Sequence, residues 1–257
     1  MRSQRSPNEK RPWKDLPDLI GSVERQFVRP VHLGDTVLPF RELPPRLGII
    51  PWDGQRLLDG GDDRLNLYPG LATWWRHAEQ LWETHRVSAA MSLLDRIDYQ
   101  RTLQNQFPAA AHRVVYSASG MYLAAARVAD STAVIEHKLY WASTADVNEA
   151  RYLIAVLNSQ ALLDLVRPLQ SRGEHNPRDF DKYVFKVPFP LFSPDNPSHN
   201  RLAALAERAE AVAAAVELPA VSFQAQRRRI REALELDGVG KEIDDQVRDI
   251  LPPPPPG

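Results

Sequence analysis

Residues 151–192 read RYLIAVLNSQALLDLVRPLQSRGEHNPRDFDKYVFKVPFPLF. Leu153, Ile154, Leu157, Leu162 and Val166 recur at helical spacing, which predicts two short buried helices. Asp146 precedes the first, and Glu149 three residues on makes an acidic version of the capping box. Ser159 is placed to cap the second helix, and Pro168 stops it. A polar, basic segment follows over 167–186. Residues 183–187 read as a strand that leaves through Pro188 and Pro190. Two buried helices thus hold up one charged loop.

Upstream the chain reads as β-rich. Arg113–Tyr116, 121–128 and 133–141 predict strands, with a turn at Ser119-Gly120. In the third, Ile135, Leu139 and Trp141 face one side and Val134, Glu136, Lys138 and Tyr140 the other. Two further short strands fit near 36–41 and 46–50, between Gly and Pro interruptions. Pro69 opens a helix whose face carries Leu71, Trp74, Trp75, Ala78, Leu81, Trp82 and His85, with Val87 just beyond. Downstream, three helices fit 200–216, 221–235 and 239–250. The fold class is therefore mixed α/β (α+β) with a helical C-terminal extension. The expected division is a disordered start and connector over 1–30, a central unit over 31–197, C-terminal helices over 198–251 and a polyproline tail over 252–257.

Composition excludes several classes. The chain has 257 residues, 43% hydrophobic and 25% charged, so it can bury a sizeable core. Its net charge of -1 gives no global attraction to nucleic acid, so any such surface is local. The absence of cysteine removes disulfides, thiolate metal sites and a thiol nucleophile, and fits a cytoplasmic location. No apolar run approaches the ~18 residues of a membrane span. The first residues lack the apolar core of a signal peptide.

Catalytic motifs are missing. No P-loop, Gly-x-Ser-x-Gly or His-Glu-x-x-His occurs. Glu136 and Lys138 share a face of the expected strand and resemble half of a metal-nuclease pattern, but the pattern needs an upstream Asp on a neighbouring strand, and Asp130 is only six residues away and in the turn. The seven histidines have no metal-ligand spacing. Arg227-Arg228-Arg229 with Arg231 reads as an exposed helical face beside Glu232 and Glu235. No catalytic or metal-binding residue is expected.

The loop over 167–186 is the candidate site. Arg172 and Arg178 carry forks that suit guanine, and Asn176 suits adenine. Ser171, Lys182 and Lys186 suit phosphate. Glu174, Asp179 and Asp181 balance this charge, so composition alone also allows a solvated connector.

Leu157-Asn158-Ser159, followed by Gly173, Arg178, Phe180, Tyr183 and Pro188, adds a second line of reading. This order resembles the C-terminal target-recognition region of adenine-specific DNA methyltransferases of restriction–modification type (type IIG or type I-like). There an "LLALLNS" helix precedes a "G…R.F…Y…KLPIP" segment. Tyr68-Pro69-Gly70 through Arg86 resembles the family's "YP…W…E.LW…HR" helix. Val28-Arg29-Pro30 to Pro51 resembles its entry segment. The resemblance spans roughly Trp13 to Val247. It implies a module that reads double-stranded DNA in the major groove while a methylating domain flips an adenine.

That domain would carry the S-adenosylmethionine cradle and an Asp/Asn/Ser-Pro-Pro-aromatic tetrapeptide. Neither is legible here: Pro44-Pro45 lies between Leu43 and Arg46. No cofactor is therefore expected on this chain. The reading is a truncated or split recognition fragment with no methyl transfer of its own, acting on double-stranded DNA with a separate methyltransferase subunit and with no membrane partner. The alternative is a helical protein-interaction scaffold that binds no DNA.

Overall fold

The computed structural model describes residues 1–5, 9–170, 180–219 and 222–252, and for Asp181 and Lys182 the backbone alone. The elements run β1 (Val28–His32), β2 (Val37–Leu38), β3 (Arg41–Glu42), β4 (Arg46–Ile49), α1 (Pro69–His85), α2 (Leu93–Ile97), β5 (Arg113–Ser117), β6 (Ala125–Val128), β7 (Val134–Ile135) and β8 (Leu139–Ser143). Then come α3 (Val147–Asn158), α4 (Gln160–Val166), α5 (Pro197–Ala215), α6 (Phe223–Asp237) and α7 (Val239–Ile250). The fold is mixed α/β with a helical C-terminal region.

The chain forms two compact units: Met1–Val31 with Leu47–Pro108, and His32–Arg46 with Ala109–Gly257. This differs from the expected breaks after 30 and 197. The physical reason is burial. Leu202, Leu205 and Ala209 of α5, Ile230 and Leu234 of α6, and Ile243 and Val247 of α7 share one apolar core with Ile154, Leu157 and Leu162. The C-terminal helices are not an appendix.

In the first unit α1 turns Leu71, Ala72 and Trp75 onto Phe27, Leu58 and Leu65. Pro69 stands at its first turn, where its missing N–H costs nothing. Residues 1–5 are not a loose start. The Met1 ammonium donates to the Gly21 carbonyl at 2.7 Å, and Ser3 N to the Leu19 carbonyl at 2.9 Å.

In the second unit β5 is the centre of an antiparallel sheet ordered β6-β5-β8. Val114 and Tyr116 face the core shared with the helices, while Val115 faces Ala126, Val128 and Ile135. Both faces of β5 are buried, so its middle residues Val114, Val115 and Tyr116 do not alternate between apolar and polar. The strand expected over 133–141 breaks at 136–138, where Glu136 N donates to the His32 carbonyl and Leu139 N to the Glu136 carbonyl. The strand expected near 36–41 is a hairpin of β2 and β3 turning at Pro39-Phe40, with Phe40 at φ 57. Proline followed by a positive φ is the order a type II turn requires.

Residues 183–187 are not a strand. Asp181–Lys186 form a 3-10 helix that sends Phe180, Val184 and Val187 inward. Those positions are i, i+4 and i+7, which is helical spacing. Four of the five expected core residues of α3 and α4 are buried, and Leu153 is half-buried. The polyproline residues 253–257 lie outside the described residues.

Candidate nucleic-acid interface

The frame of the candidate site is built from caps. Asp146 accepts from Asn148 N and Glu149 N at the start of α3. Glu149 Oε2 reaches back to Ala145 N, closing the box one residue early. Asn158 ends α3 and is bound to β6: its Oδ1 accepts from Ala125 N at 2.9 Å and its Nδ2 donates to the Ala125 carbonyl at 2.8 Å. The side-chain amide copies a peptide group, and the same Ala125 carbonyl also accepts from Phe40 N at 2.9 Å. Ser159 Oγ accepts from Leu162 N at 3.1 Å and donates to the Val156 carbonyl at 2.8 Å. Asp244 Oδ1 accepts from Gln160 N and Ala161 N, so three N–H groups at the start of α4 are satisfied. Burial raises the Asp244 pKa above the ordinary carboxylate value, and these two backbone bonds oppose the rise.

The fully buried Tyr152 fixes the exit of the segment. Its hydroxyl donates to the Pro190 carbonyl at 2.7 Å, and burial pushes its pKa up to about 12.

Of the expected DNA-contacting residues, Ser171, Arg172, Asn176 and Arg178 lie outside the described residues. Both flanks of that segment are anchored. On one side Gln170 is buried and its N–H donates to the Arg167 carbonyl. On the other, Phe180 is fully buried and its N–H donates to the Ala118 carbonyl at 2.8 Å. Lys182 lies in the 3-10 helix. Lys186 is exposed, with its ammonium 4.6 Å from the centre of the Tyr183 ring.

The flanks carry a feature that sequence reading missed. The guanidinium of Arg167 lies 5.4 Å, and that of Arg231 4.2 Å, from the centre of the partly exposed Tyr122 ring. Arg231 Nη1 is buried without a hydrogen-bond partner among the described residues. Burial lowers the Arg231 pKa; Tyr122, Glu235 and Glu232 act against that. The strand expected over 121–128 would include Tyr122, but β6 begins only at Ala125. A second aromatic group joins Tyr116, Tyr140 and Phe185, with Tyr140 and Phe185 reaching the surface.

Two other sequence candidates resolve differently. Glu136 and Lys138 are in the break between β7 and β8, so no strand aligns them, and Glu136 pairs with His137 at 3.0 Å. No cluster of metal-ligating side chains occurs among the described residues. The arginine run on α6 is split. Arg228 and Arg229 are exposed, but Arg227 is buried and donates to the carbonyls of Val37 and Gly34 at 2.8–3.0 Å. Burial pushes its pKa down to about 10. No helix among the described residues is long and apolar enough to cross a membrane. Compared with protein-family models and with curated proteins, the chain matches none.

Proposed function

We propose that this chain is the DNA target-recognition part of an adenine-specific DNA methyltransferase of restriction–modification type. Support comes from the two fixed flanks at Gln170 and Phe180 and from the sequence between them. That sequence holds Arg172, Asn176 and Arg178, and the two anchored flanks lie beside Arg167 and Lys186 in the chain. Fixed flanks around a stretch of sequence rich in basic and polar residues suit base reading, because phosphate contacts position a module and base-edge contacts choose the sequence. The resemblance through Asn158-Ser159, Arg178, Phe180 and Tyr183 supports it. Arg167 and Arg231 on Tyr122 add cationic and stacking surface.

In this reading the residues here do no chemistry. S-adenosylmethionine and the base-gripping tetrapeptide belong to a methylating domain or subunit with which this part acts. The scaffold alternative has less support, because the apolar faces of α5, α6 and α7 are already used in the chain's own core.

The test is selection of duplexes from a random pool by the full chain, alone and with a candidate methylating subunit. Enrichment of a short motif containing adenine supports the proposal. A pool that stays random in both cases removes it.

A further inference from the structure

A separate candidate site lies within the first unit. Trp13 stacks on Trp82, with ring centres 5.3 Å apart and planes 23° from parallel. The two indoles border an open cavity of about 730 Å³, within the range of small-molecule sites. Arg5, Arg86 and Arg96 also border it, and Glu9 is the one carboxylate among its described lining residues.

The cations there are under-compensated. Arg5 Nη1 is 3.8 Å from Glu9 and Nη2 donates to the Pro17 carbonyl, but Nε is buried with no partner among the described residues. Arg86 Nη1 donates to the Met91 carbonyl at 3.0 Å, and no carboxylate pairs with Arg86 among the described residues. Arg96 is exposed and makes no side-chain bond or ion pair among them.

Indole rings beside Arg86 and Arg96, which have no carboxylate partner among the described residues, select a ligand that is flat and anionic. A planar heterocycle stacks on tryptophan, and phosphate takes charge-assisted bonds from two arginines. An acidic peptide lacks the ring, and a neutral aromatic leaves the guanidiniums unpaired. We propose that this cavity binds a nucleotide, with its base on the Trp13–Trp82 surface and its phosphate on Arg86 and Arg96. Free mononucleotides and unpaired nucleotides of a nucleic-acid strand offer the same chemistry. The proposal does not depend on residues 171–179.

The experiment titrates the full chain with AMP and, separately, with an oligothymidylate of about ten nucleotides, by tryptophan fluorescence and calorimetry. Arg96→Glu, at an exposed side chain, and Trp13→Phe are the variants; Arg228→Glu is the control. The expected result is saturable binding of at least one ligand, weakened about tenfold by Arg96→Glu and unchanged by Arg228→Glu. Trp13→Phe should also weaken it and reduce the quenching. Binding of AMP identifies a free nucleotide as sufficient; binding of the oligonucleotide alone identifies a strand as the source. If neither ligand binds the parent, or if both site variants bind as the parent does, the proposal is overturned. An Arg172, Arg178 and Lys182 triple-alanine variant should bind AMP as the parent does, which separates this site from the segment over 171–179.

Discussion

At the scale of single residues, the side chains that look most like a functional signature hold the fold. Asn158 belongs to the pattern resembling methyltransferases, yet both ends of its amide are spent on the Ala125 backbone. Asn158→Ala strands the Ala125 N–H, while the Ala125 carbonyl keeps its bond from Phe40 N. It should lower unfolding free energy by about 1–3 kcal/mol in urea melts. Unchanged stability would return Asn158 to the list of ligand contacts. Tyr152 gives a pH test. Its native pKa of about 12 lies above the ordinary 10.0, so the native state favours the neutral phenol. Its contribution is full below the unfolded value and is lost as pH rises from there through about 12. Tyr152→Phe should flatten that alkaline loss; a variant with the parent's alkaline profile would contradict the burial argument.

Elements were legible in the sequence where caps and periodicity agreed. Asp146, Ser159 and Pro69 mark three helix starts, and all three helices begin there. The failure was at 181–186. Phe180, Tyr183, Val184 and Val187 already have helical spacing, but the prolines after them suggested a strand exit. The expected strand over 133–141 failed because Glu136-His137-Lys138 makes a turn that alternation does not reveal. The clustering of Tyr122 with Arg167 and Arg231 was not legible at all, since it joins residues far apart in sequence. The doubly capped start of α4 has a measurable consequence. Ser159→Ala should cost about 1 kcal/mol, and adding Asp244→Ala should cost more and speed amide exchange at Gln160–Leu162. No further loss in the double variant would mean that Asp244 does not cap α4.

At the scale of the whole molecule, a net charge of -1 makes electrostatics local. In the second unit both flanks of one segment are held by backbone bonds, and α5 to α7 complete that unit's core. Binding should therefore be carried by few cations, with affinity for unselected duplex of about 10⁻⁴–10⁻⁶ M at physiological salt. The most direct measurement is fluorescence anisotropy of the full chain on duplex DNA across salt concentration, beside Arg172→Ala/Arg178→Ala/Lys182→Ala. The account predicts that the parent binds at low salt with a negative slope of log affinity against log salt. It also predicts that the triple variant melts like the parent but binds weakly, with a flatter slope, because fewer counterions are released. Equal binding by a folded triple variant, or no binding by the parent even beside a methylating subunit, would contradict the assignment of this chain to DNA recognition.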